Sequence, residues 1–284
     1  MIQVEHIVKR YKKHMALDHV SLNIEGIYGL LGSNGAGKTT LMKIICGLTN
    51  ASGGNIRVNG QSMMKRKYAN TAGMIGFLAQ DFNVYPSLSV NEVLFHLALL
   101  QGIVDRKKQE SVIQQALERV NLTDKSNLKM KELSGGMRRR VGIAQLLLRE
   151  PEILVFDEPT AGLDIEERIR FRNLLRDLSH DHTIIISSHI VEDIEFLCTK
   201  IGLLSNGHVL FEGTPEELKK KAEGSLAEAQ INLMELNKWV KDHDVVHIEE
   251  TSDGACIRYF DEEKGDANIV PRLSDGYLAV MRAQ

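Results

Sequence analysis

A glycine-rich loop at residues 32–39 constrains the fold of this chain more than any other feature. Its sequence, Gly-Ser-Asn-Gly-Ala-Gly-Lys-Thr, has the spacing GxxxxGK[ST]. The apolar residues Ile27–Leu31 before the loop predict a buried strand, and residues 40–47 after it predict a helix that Gly47 ends. A strand that enters such a turn and continues as a helix begins a βα unit, so we expect an α/β fold with a parallel sheet.

The residue types in this loop suit the phosphates of a nucleotide. Glycines let backbone N–H groups turn inward around a phosphate, where a Cβ would obstruct them. The following helix adds the partial positive charge of its N-terminus. Lys38 supplies a full positive charge for the β- and γ-phosphates, and the Thr39 hydroxyl is a hard oxygen ligand for Mg²⁺. The candidate nucleotide-binding residues here are Gly32, Ser33, Asn34, Gly35, Ala36, Gly37, Lys38, Thr39 and Thr40.

Two carboxylates follow a second apolar run. Ile153–Phe156 predicts a buried strand, and Asp157 and Glu158 come directly after it. Such a strand delivers both carboxylates to the carboxyl edge of the sheet, where open α/β sheets bind their ligands. Phosphoryl transfer depends mainly on positioning and charge neutralisation. We therefore expect Asp157 to hold Mg²⁺, directly or through water, and Glu158 to polarise the attacking water.

Charge and composition exclude other classes. The net charge of −3, from 35 Lys and Arg against 38 Asp and Glu residues, argues against a strongly basic nucleic-acid binder. The three cysteines form no CxxC pair, which favours a reducing compartment. The longest apolar stretch, Val93–Val104, contains His96 and Gln101 and is too short to span a bilayer. We expect no nucleic-acid partner, and any membrane role would come through another chain.

Strand and helix patterns alternate along the chain, with one helical insertion. Ile2–Val8 alternates polar and apolar residues, which predicts an edge strand. Residues 88–149 carry apolar residues at helical spacing, with Ser89 as N-cap and Glu92 completing a capping box. Asn206-Gly207 predicts a type I′ hairpin turn. The other predicted strands are Val20–Ile24, Ile56–Val58, Met74–Ala79, Thr183–Ser187, Ile201–Leu204 and Val209–Phe211, and helices are predicted at Ile165–Leu178 and from Pro215.

The sequence pattern changes at about Gly224, where we expect a small accessory α+β unit, residues 224–284. Residues 230–234 alternate in polarity, which indicates a strand. Val245–Glu249 and Ala255–Phe260 flank a Ser-Asp-Gly turn and predict a hairpin. Leu273–Met281 predicts a closing helix.

Five further motifs occur in an order that identifies a family. Leu133-Ser134-Gly135-Gly136-Met137 precedes a helix and lies shortly before the acidic strand. Gln80 ends a predicted strand, and His189 ends the strand that follows the acidic one. The remaining two are Ala161-Gly162-Leu163-Asp164, shortly after Glu158, and Tyr11, before the phosphate loop. Over residues 1–215 the chain resembles the ATP-binding cassette (ABC) ATPases, with a signature motif, Q-loop, D-loop, switch histidine and A-loop aromatic.

The resemblance implies a P-loop NTPase cassette, residues 1–223, with a helical subdomain at about 88–149 and an antiparallel edge sheet. It implies ATP and Mg²⁺ as ligands, and two cassettes, copies or paralogues, that face each other head to tail. Each ATP would lie between one phosphate loop and the opposite Ser134, Gly135 and Gly136. Tyr11 would stack on adenine. Gln80 would sense Mg²⁺ and the water, His189 would hold the γ-phosphate, and Asp164 would communicate across the dimer.

Three departures from the family pattern remove no catalytic group: Met137, Ser33, and Ala161-Gly162. They resemble variants found in bacterial exporter cassettes for antibiotics, drugs and sodium, as does the helix at Leu273–Leu278. That helix is expected either to stabilise a dimer or to be a structural cap. Arg138–Arg140 is expected to be a solvated or intersubunit salt-bridge face.

The function that this resemblance implies is energising export through a separate transmembrane permease, at the cytoplasmic face of the membrane. The permease would dock between the Gln80 segment and the helical insertion, where Phe82, Val84, Tyr85 and Leu88 offer an apolar lining or pack locally. The alternatives are an importer cassette and a soluble ABC ATPase that acts on a macromolecular complex such as a ribosome or DNA. An ordinary P-loop kinase would leave Leu133–Met137 unexplained.

Overall fold

The computed structural model describes residues 1–63, 73–80, 82, 84–261, 263 and 265–283. Within them the chain forms two compact units, Met1–Glu212 and Gly213–Gln284. The strands, in chain order, are β1 Ile2–Tyr11, β2 His14–Ile24, β3 Ile27–Leu31, β4 Gly53–Val58, β5 Gln61–Ser62, β6 Ile75–Leu78, β7 Ile153–Phe156, β8 Thr183–Ser188, β9 Lys200–Ser205, β10 His208–Gly213, β11 Leu226–Ile231, β12 Asp244–Thr251 and β13 Gly254–Phe260. The α-helices are α1 Lys38–Ile45, α2 Val90–Leu100, α3 Arg106–Arg119, α4 Gly135–Leu147, α5 Ile165–Leu178, α6 Val191–Glu195, α7 Pro215–Lys219, α8 Leu236–Asp242 and α9 Leu273–Arg282.

A six-stranded sheet forms the centre of the first unit. Its order is β10-β9-β3-β8-β7-β6, and the pairs from β9 to β6 are parallel. Every residue of β3 and of β7 is buried, which is the pattern of parallel strands covered on both faces. The predicted α/β fold with a parallel sheet is therefore confirmed, and β3 and β7 end at the same edge. That edge carries the phosphate loop and the two carboxylates.

A second, four-stranded antiparallel sheet has the order β2-β1-β4-β5. The prediction that Ile2–Val8 is an edge strand is wrong, because β1 pairs with β2 on one side and with β4 on the other. Alternation in a sequence reports which face of a strand is buried and not how many neighbours it has. Ile2, Val4 and Ile7 are buried against α1 and the central sheet in one continuous apolar core.

The helical insertion is present as predicted, in α2, α3 and α4. Ser89 is the N-cap of α2, and its Oγ accepts a hydrogen bond from the Glu92 N–H at 3.2 Å. The Glu92 carboxylate in turn accepts from the Ser89 N–H at 2.7 Å, which completes the capping box. Helix α1 begins at Lys38, two residues before the predicted start, and Gly47 follows it in the left-handed conformation, with φ +71°.

The second unit contains a three-stranded antiparallel sheet of order β11-β13-β12, and α7, α8 and α9. The predicted hairpin and closing helix are confirmed. The strand predicted at residues 230–234 is misplaced, because Asn232 accepts a hydrogen bond from the Met234 N–H at 3.0 Å and starts a helical turn. This turn leads into α8, which the sequence pattern did not predict.

The unit begins earlier than the boundary at 223/224 that we expected from the sequence. A Cβ on Gly276 of α9 would lie only 2.1 Å from the Leu218 carbonyl oxygen of α7. This close approach fastens α7 to α9 and places it in the second unit. The assignment of 1–223 and 224–284 as functional domains stays a prediction.

The second unit contains an ion pair with a buried carboxylate. Arg258 Nη1 donates to Asp275 Oδ2 at 2.8 Å and Nη2 donates to Glu228 Oε1 at 2.6 Å, while the Asp275 side chain is only 1% exposed. Burial lowers the pKa of Arg258, but the hydrogen bonds to Glu228 and Asp275 outweigh it and raise the pKa above its usual value. The arginine therefore stays charged beside the buried carboxylate.

We expect Arg258→Met to lower the free energy of unfolding of this unit by about 3–5 kcal/mol, because the buried Asp275 carboxylate loses its cation and keeps a hydrogen bond from the Arg272 N–H. Trp239, the one tryptophan of the chain, lies in this unit and reports on it. Urea unfolding followed by tryptophan fluorescence measures the change. Lys221→Met, at an exposed position of the same unit, is the control. Equal stability of the two variants would contradict the structural role of the pair.

Candidate functional site

The phosphate loop requires glycine at two positions for steric reasons. Gly32 has φ +150°, and a Cβ there would lie 2.2 Å from the Leu204 carbonyl oxygen. Gly37 has φ +107°, and a Cβ there would lie 2.7 Å from the Ala16 carbonyl oxygen. Neither position has room for a Cβ, and both have a backbone conformation that L-residues rarely adopt. Strands from both sheets therefore hold the loop closely from outside.

The predicted hairpin turn at residues 206–207 supports the loop. Asn206 and Gly207 have φ +47° and +82°, as a type I′ turn requires, so the prediction is confirmed. The Gly207 N–H donates to the Ala36 carbonyl at 3.1 Å, and its carbonyl accepts from the Asp18 N–H at 2.9 Å. The turn thus joins the loop to β2.

The Lys38 side chain folds back onto the phosphate loop. Its side chain is almost fully buried, and Nζ donates to the Gly32 carbonyl at 2.6 Å and to the Ser33 carbonyl at 3.0 Å. Burial lowers the pKa of Lys38, whereas the nearby Glu158 and Asp157 carboxylates act to raise it. The two hydrogen bonds place the ammonium inside the loop. A bound anion there would compensate for the water that the buried ammonium has lost.

The N-terminus of α1 is open to an anion. The N-cap is Gly37, which gives no side-chain cap, and the first turn of this fully described helix has no acidic residue. The N–H groups of the first turn thus keep their capacity to donate to a phosphate. Thr39, the predicted metal ligand, is exposed, and Thr40 is half-buried.

A cavity of about 320 Å³ lies against this loop. It is lined by Tyr11, His14, Ala16, Asn34, Gly35, Ala36, Gly37, Lys38, Thr39, Thr40 and Glu158. Tyr11 is 45% exposed, which leaves its ring accessible for stacking, and the Lys9 Nζ lies 4.7 Å from the ring centroid. His14 was missed by the sequence analysis, since it belongs to no motif and reaches the cavity only because β1 turns back into β2.

The two carboxylates after β7 have different surroundings. Asp157 is buried, and its Oδ1 accepts a hydrogen bond from the Ser187 hydroxyl at 2.7 Å. Glu158 is partly exposed, and its Oε1 lies 3.2 Å from His189 Nδ1. The imidazole is 46% exposed. The structure therefore brings the predicted Glu158 and His189 together, with Glu158 in the wall of the cavity.

Glu158 is held in a strained backbone conformation, with φ +46°. Such a conformation costs about 1–3 kcal/mol for a residue with a Cβ and persists only when its surroundings fix it. The Glu158 N–H donates to the Ser187 Oγ at 2.9 Å, and its carbonyl accepts from Arg139 Nη1 at 3.1 Å. Sequence reasoning did not find Ser187 or Arg139 as partners of this residue.

The expectation that Arg138–Arg140 forms a solvated or intersubunit face is wrong for two of its three members. Arg139 is half-buried and reaches the Glu158 carbonyl, and Arg140 lies 3.8 Å from Glu167 with 13% of its side chain exposed. Arg138 is exposed. Only the residue types were visible in the sequence, whereas the helix face that each arginine occupies sets its contacts.

Gln80 and the signature motif lie outside the cavity around the phosphate loop. Gln80 and Gly135 line a separate groove of about 510 Å³, together with Phe82, Val84, Pro86, Met130, Lys131, Arg138 and Arg139. Of the four apolar residues expected at a permease-docking groove, Phe82 and Val84 line it. Tyr85 is 76% exposed.

The signature motif begins α4. Ser134 is the N-cap, and its Oγ accepts from the Met137 N–H at 3.1 Å. A Cβ on Gly136 would lie 2.0 Å from Glu167 Oε2, so α4 and α5 approach closely there. A Cβ on Gly135 would meet no described atom within 4 Å, so this end of the helix is open.

The described residues contain no group of three or more His, Cys, Asp or Glu side chains arranged to hold a metal ion. Within the described ranges, no helix has both the length and the apolar character needed to cross a membrane.

The chain is similar to known proteins over most of its length. The ABC transporter family model matches residues 17–161. The chain is 34% identical over 229 residues to the linearmycin resistance ATP-binding protein LnrL of Bacillus subtilis (strain 168). This match covers 79% of this chain and 72% of that protein. It is also 34% identical over 220 residues to the Nod factor export ATP-binding protein I of Burkholderia pseudomallei (strain 1710b), covering 76% of this chain and 72% of that protein.

A solved structure agrees with this assignment. The dimeric post-hydrolysis structure of the ATP-binding cassette MJ0796, bound to ADP and Pi, is 26% identical with a TM-score of 0.66. The match covers 75% of this chain and 98% of that chain. The chain therefore belongs to the ABC transporter family, as one of its ATP-binding and ATP-hydrolysing cassettes.

Proposed function

We propose that this cassette energises the export of a substrate through a transmembrane permease on a separate chain. The observation that carries the nucleotide chemistry is one cavity that contains the phosphate loop, Lys38 and Glu158. Two relatives with resistance and export in their names support the outward direction. The protein would then act at the cytoplasmic face of the membrane, bound to its permease.

ATP fits the residues present. The loop packs too closely against its neighbours for a side chain at Gly32 or Gly37. Without side chains at these positions, the backbone N–H groups of the loop can surround a phosphate. Lys38 carries the positive charge for the β- and γ-phosphates, and Tyr11 is accessible to stack on adenine. Ser33, Asn34, Gly35, Ala36, Thr39 and Thr40 complete the proposed nucleotide contacts.

Mg²⁺ fits the donor set as well, since Thr39 offers an exposed hydroxyl and Asp157 a carboxylate. Bound there, the ion would neutralise charge on the β- and γ-phosphates. Ser187 holds one Asp157 oxygen and so fixes the orientation of the carboxylate. Gln80, which lies in the separate groove, is proposed as an additional ligand.

Glu158 is proposed to accept the proton of the attacking water. His189, whose Nδ1 lies 3.2 Å from Glu158 Oε1, would hold the γ-phosphate. Hydrolysis under this scheme requires only positioned donors and acceptors and no covalent intermediate on the protein.

The second cassette of the proposed dimer would supply Ser134, Gly135 and Gly136 to this nucleotide. Two features support this arrangement: these residues lie outside the chain's own phosphate cavity, and the N-terminus of α4 is open at Gly135. ATP would thus stabilise the closed dimer through contacts made only in that state. The partner is a copy of this chain or a paralogue.

Affinity purification of the tagged chain from detergent-solubilised membranes, followed by mass spectrometry, tests the transport function. We expect a stoichiometric membrane protein with several spanning helices. Val84→Asp, in the groove beside Gln80, should abolish the association, because it replaces one of the groove's apolar side chains with a charged one that docking would bury. Val104→Asp, at a position already 76% exposed on the helical insertion, should leave the association unchanged.

Recovery of ribosomal proteins or DNA-repair factors instead, with no membrane protein, would overturn the transport function and leave the ATPase site standing. The sequence of a recovered permease would separate an exporter from an importer.

A further inference from the structure

Arg139, in the first half of α4, contacts two segments of the proposed catalytic site. Its Nη1 donates to the Glu158 carbonyl at 3.1 Å, and its Nη2 donates to the Gln80 carbonyl at 3.2 Å. These partners are 19 and 59 residues away in the sequence. One side chain therefore joins the backbone of Glu158, the proposed water-polarising residue, to the backbone of Gln80, which lies two residues after the end of β6.

The contact to Glu158 acts on a residue whose backbone needs support. Its φ of +46° lies in the left-handed region, which is unfavourable for glutamate. The N–H is anchored by Ser187 Oγ at 2.9 Å, and the carbonyl accepts both from Arg139 and from the Ala161 N–H at 3.2 Å. Of the two donors to the carbonyl, Arg139 is the one that comes from another element, α4. Loss of the arginine would remove the contact between the Glu158 carbonyl and α4 and leave the local turn hydrogen bond from the Ala161 N–H. The Glu158 carboxylate would then be held less firmly at the cavity wall.

The chemistry of arginine suits this bridge. A guanidinium is planar and carries Nη donors in a fixed fork, so one group serves two carbonyls at once. A lysine ammonium is a single flexible point charge and would not hold both acceptors in the same geometry. Arg140, the next residue, points instead to Glu167 of α5, so the bridge is a property of one position.

We infer that Arg139 is a positioning residue for ATP hydrolysis. It keeps the Glu158 carboxylate oriented toward the water and links it to the Gln80 backbone, so that displacement of α4 alters both together. This inference rests on the proposed role of Glu158 and adds to it a residue of the signature helix that acts within its own chain.

The first experiment compares Arg139→Met and Arg139→Lys in the full-length chain. We expect Arg139→Met to lower kcat roughly 10- to 100-fold, because a misplaced reacting group costs rates of that order. KM and the affinity for a fluorescent ATP analogue should stay within about twofold, since no nucleotide contact is removed. Arg139→Lys should have a kcat between that of Arg139→Met and that of the unmodified chain. Arg106→Met, at an arginine 82% exposed on α3, should behave as the unmodified chain.

The second experiment separates positioning from a purely structural role. In a Glu158→Gln background, Arg139→Met should cause no further loss of single-turnover rate, because Arg139 acts through the group already removed. The same fold loss in both backgrounds would overturn the inference, as would unchanged kcat in either stable Arg139 variant. If Arg139→Met unfolds at a lower temperature, the lysine variant decides by the same criteria.

The two experiments also keep this inference apart from the proposed function. Full turnover in Glu158→Gln alone would show that Glu158 is not the water-polarising group. Reduced turnover in Glu158→Gln together with unchanged turnover in the Arg139 variants would remove only the positioning role.

Discussion

Glu158→Gln is expected to bind ATP with near-unchanged affinity and to lose most turnover, by roughly 10²- to 10⁴-fold in kcat. The amide keeps the size of the side chain but cannot accept the proton of the attacking water. Because ATP would remain uncleaved, the ATP-bound dimer should accumulate. Steady-state ATPase assays measure the loss, and size-exclusion chromatography with and without ATP measures the dimer.

The matched control for this variant is Glu166→Gln on α5. Glu166 is an exposed glutamate, 76% accessible and paired with Arg170 on the same helix. Surface pairs of this kind contribute little to stability, so the control should retain full turnover. A Glu158→Gln variant that hydrolyses ATP at the normal rate would refute the assigned role and direct attention to His189.

Lys38→Ala is expected to weaken nucleotide binding itself by roughly 10- to 150-fold, the equivalent of about 1.5–3 kcal/mol for hydrogen bonds to a charged group. The Lys38 side chain is nearly buried, and its removal takes away the positive charge that lies inside the loop. The two hydrogen bonds to the Gly32 and Ser33 carbonyls are lost as well. Titration with a fluorescent ATP analogue gives the dissociation constant.

Lys43→Ala provides the control within α1. Lys43 is exposed in the last turn of the same helix, away from the loop end. The two variants remove the same side chain, so a difference in affinity reports on position and not on helix composition. Unchanged affinity in Lys38→Ala, with an unchanged melting temperature, would count against the phosphate site.

Local patterns predicted much of the central sheet. Strands β3 and β7 and helix α5 have the predicted bounds, because continuous apolar runs and a 3.6-residue period need no information from distant residues. The same holds for the Ser89 capping box, whose two partners are three residues apart. Helix α8 was missed because Asn232 ends β11 through a local hydrogen bond that competes with the strand pattern.

Most residues of the candidate site could also be predicted, since the motif fixes the loop from Asn34 to Thr40 and the apolar run fixes Glu158. The structure places these residues around one cavity. Gln80 was predicted to sense Mg²⁺ and the attacking water, and Gly135 to contact the nucleotide of the opposite cassette; in the structure both line a groove outside that cavity. In the proposed dimer, Gly135 would act on the nucleotide of the second cassette, so a single chain does not bring it to its own phosphate loop.

The sequence by itself determined the α/β order of elements, the phosphate loop and the family, because those depend on residue types at short, fixed spacings. Tertiary structure alone decided that β1 has two neighbours, that His14 lines the cavity and that Ser187 and Arg139 anchor Glu158. A hydrogen bond between residues far apart in the chain forms only where packing brings donor and acceptor within about 3 Å at the right angle. That condition is set by the whole fold, and no local pattern encodes it.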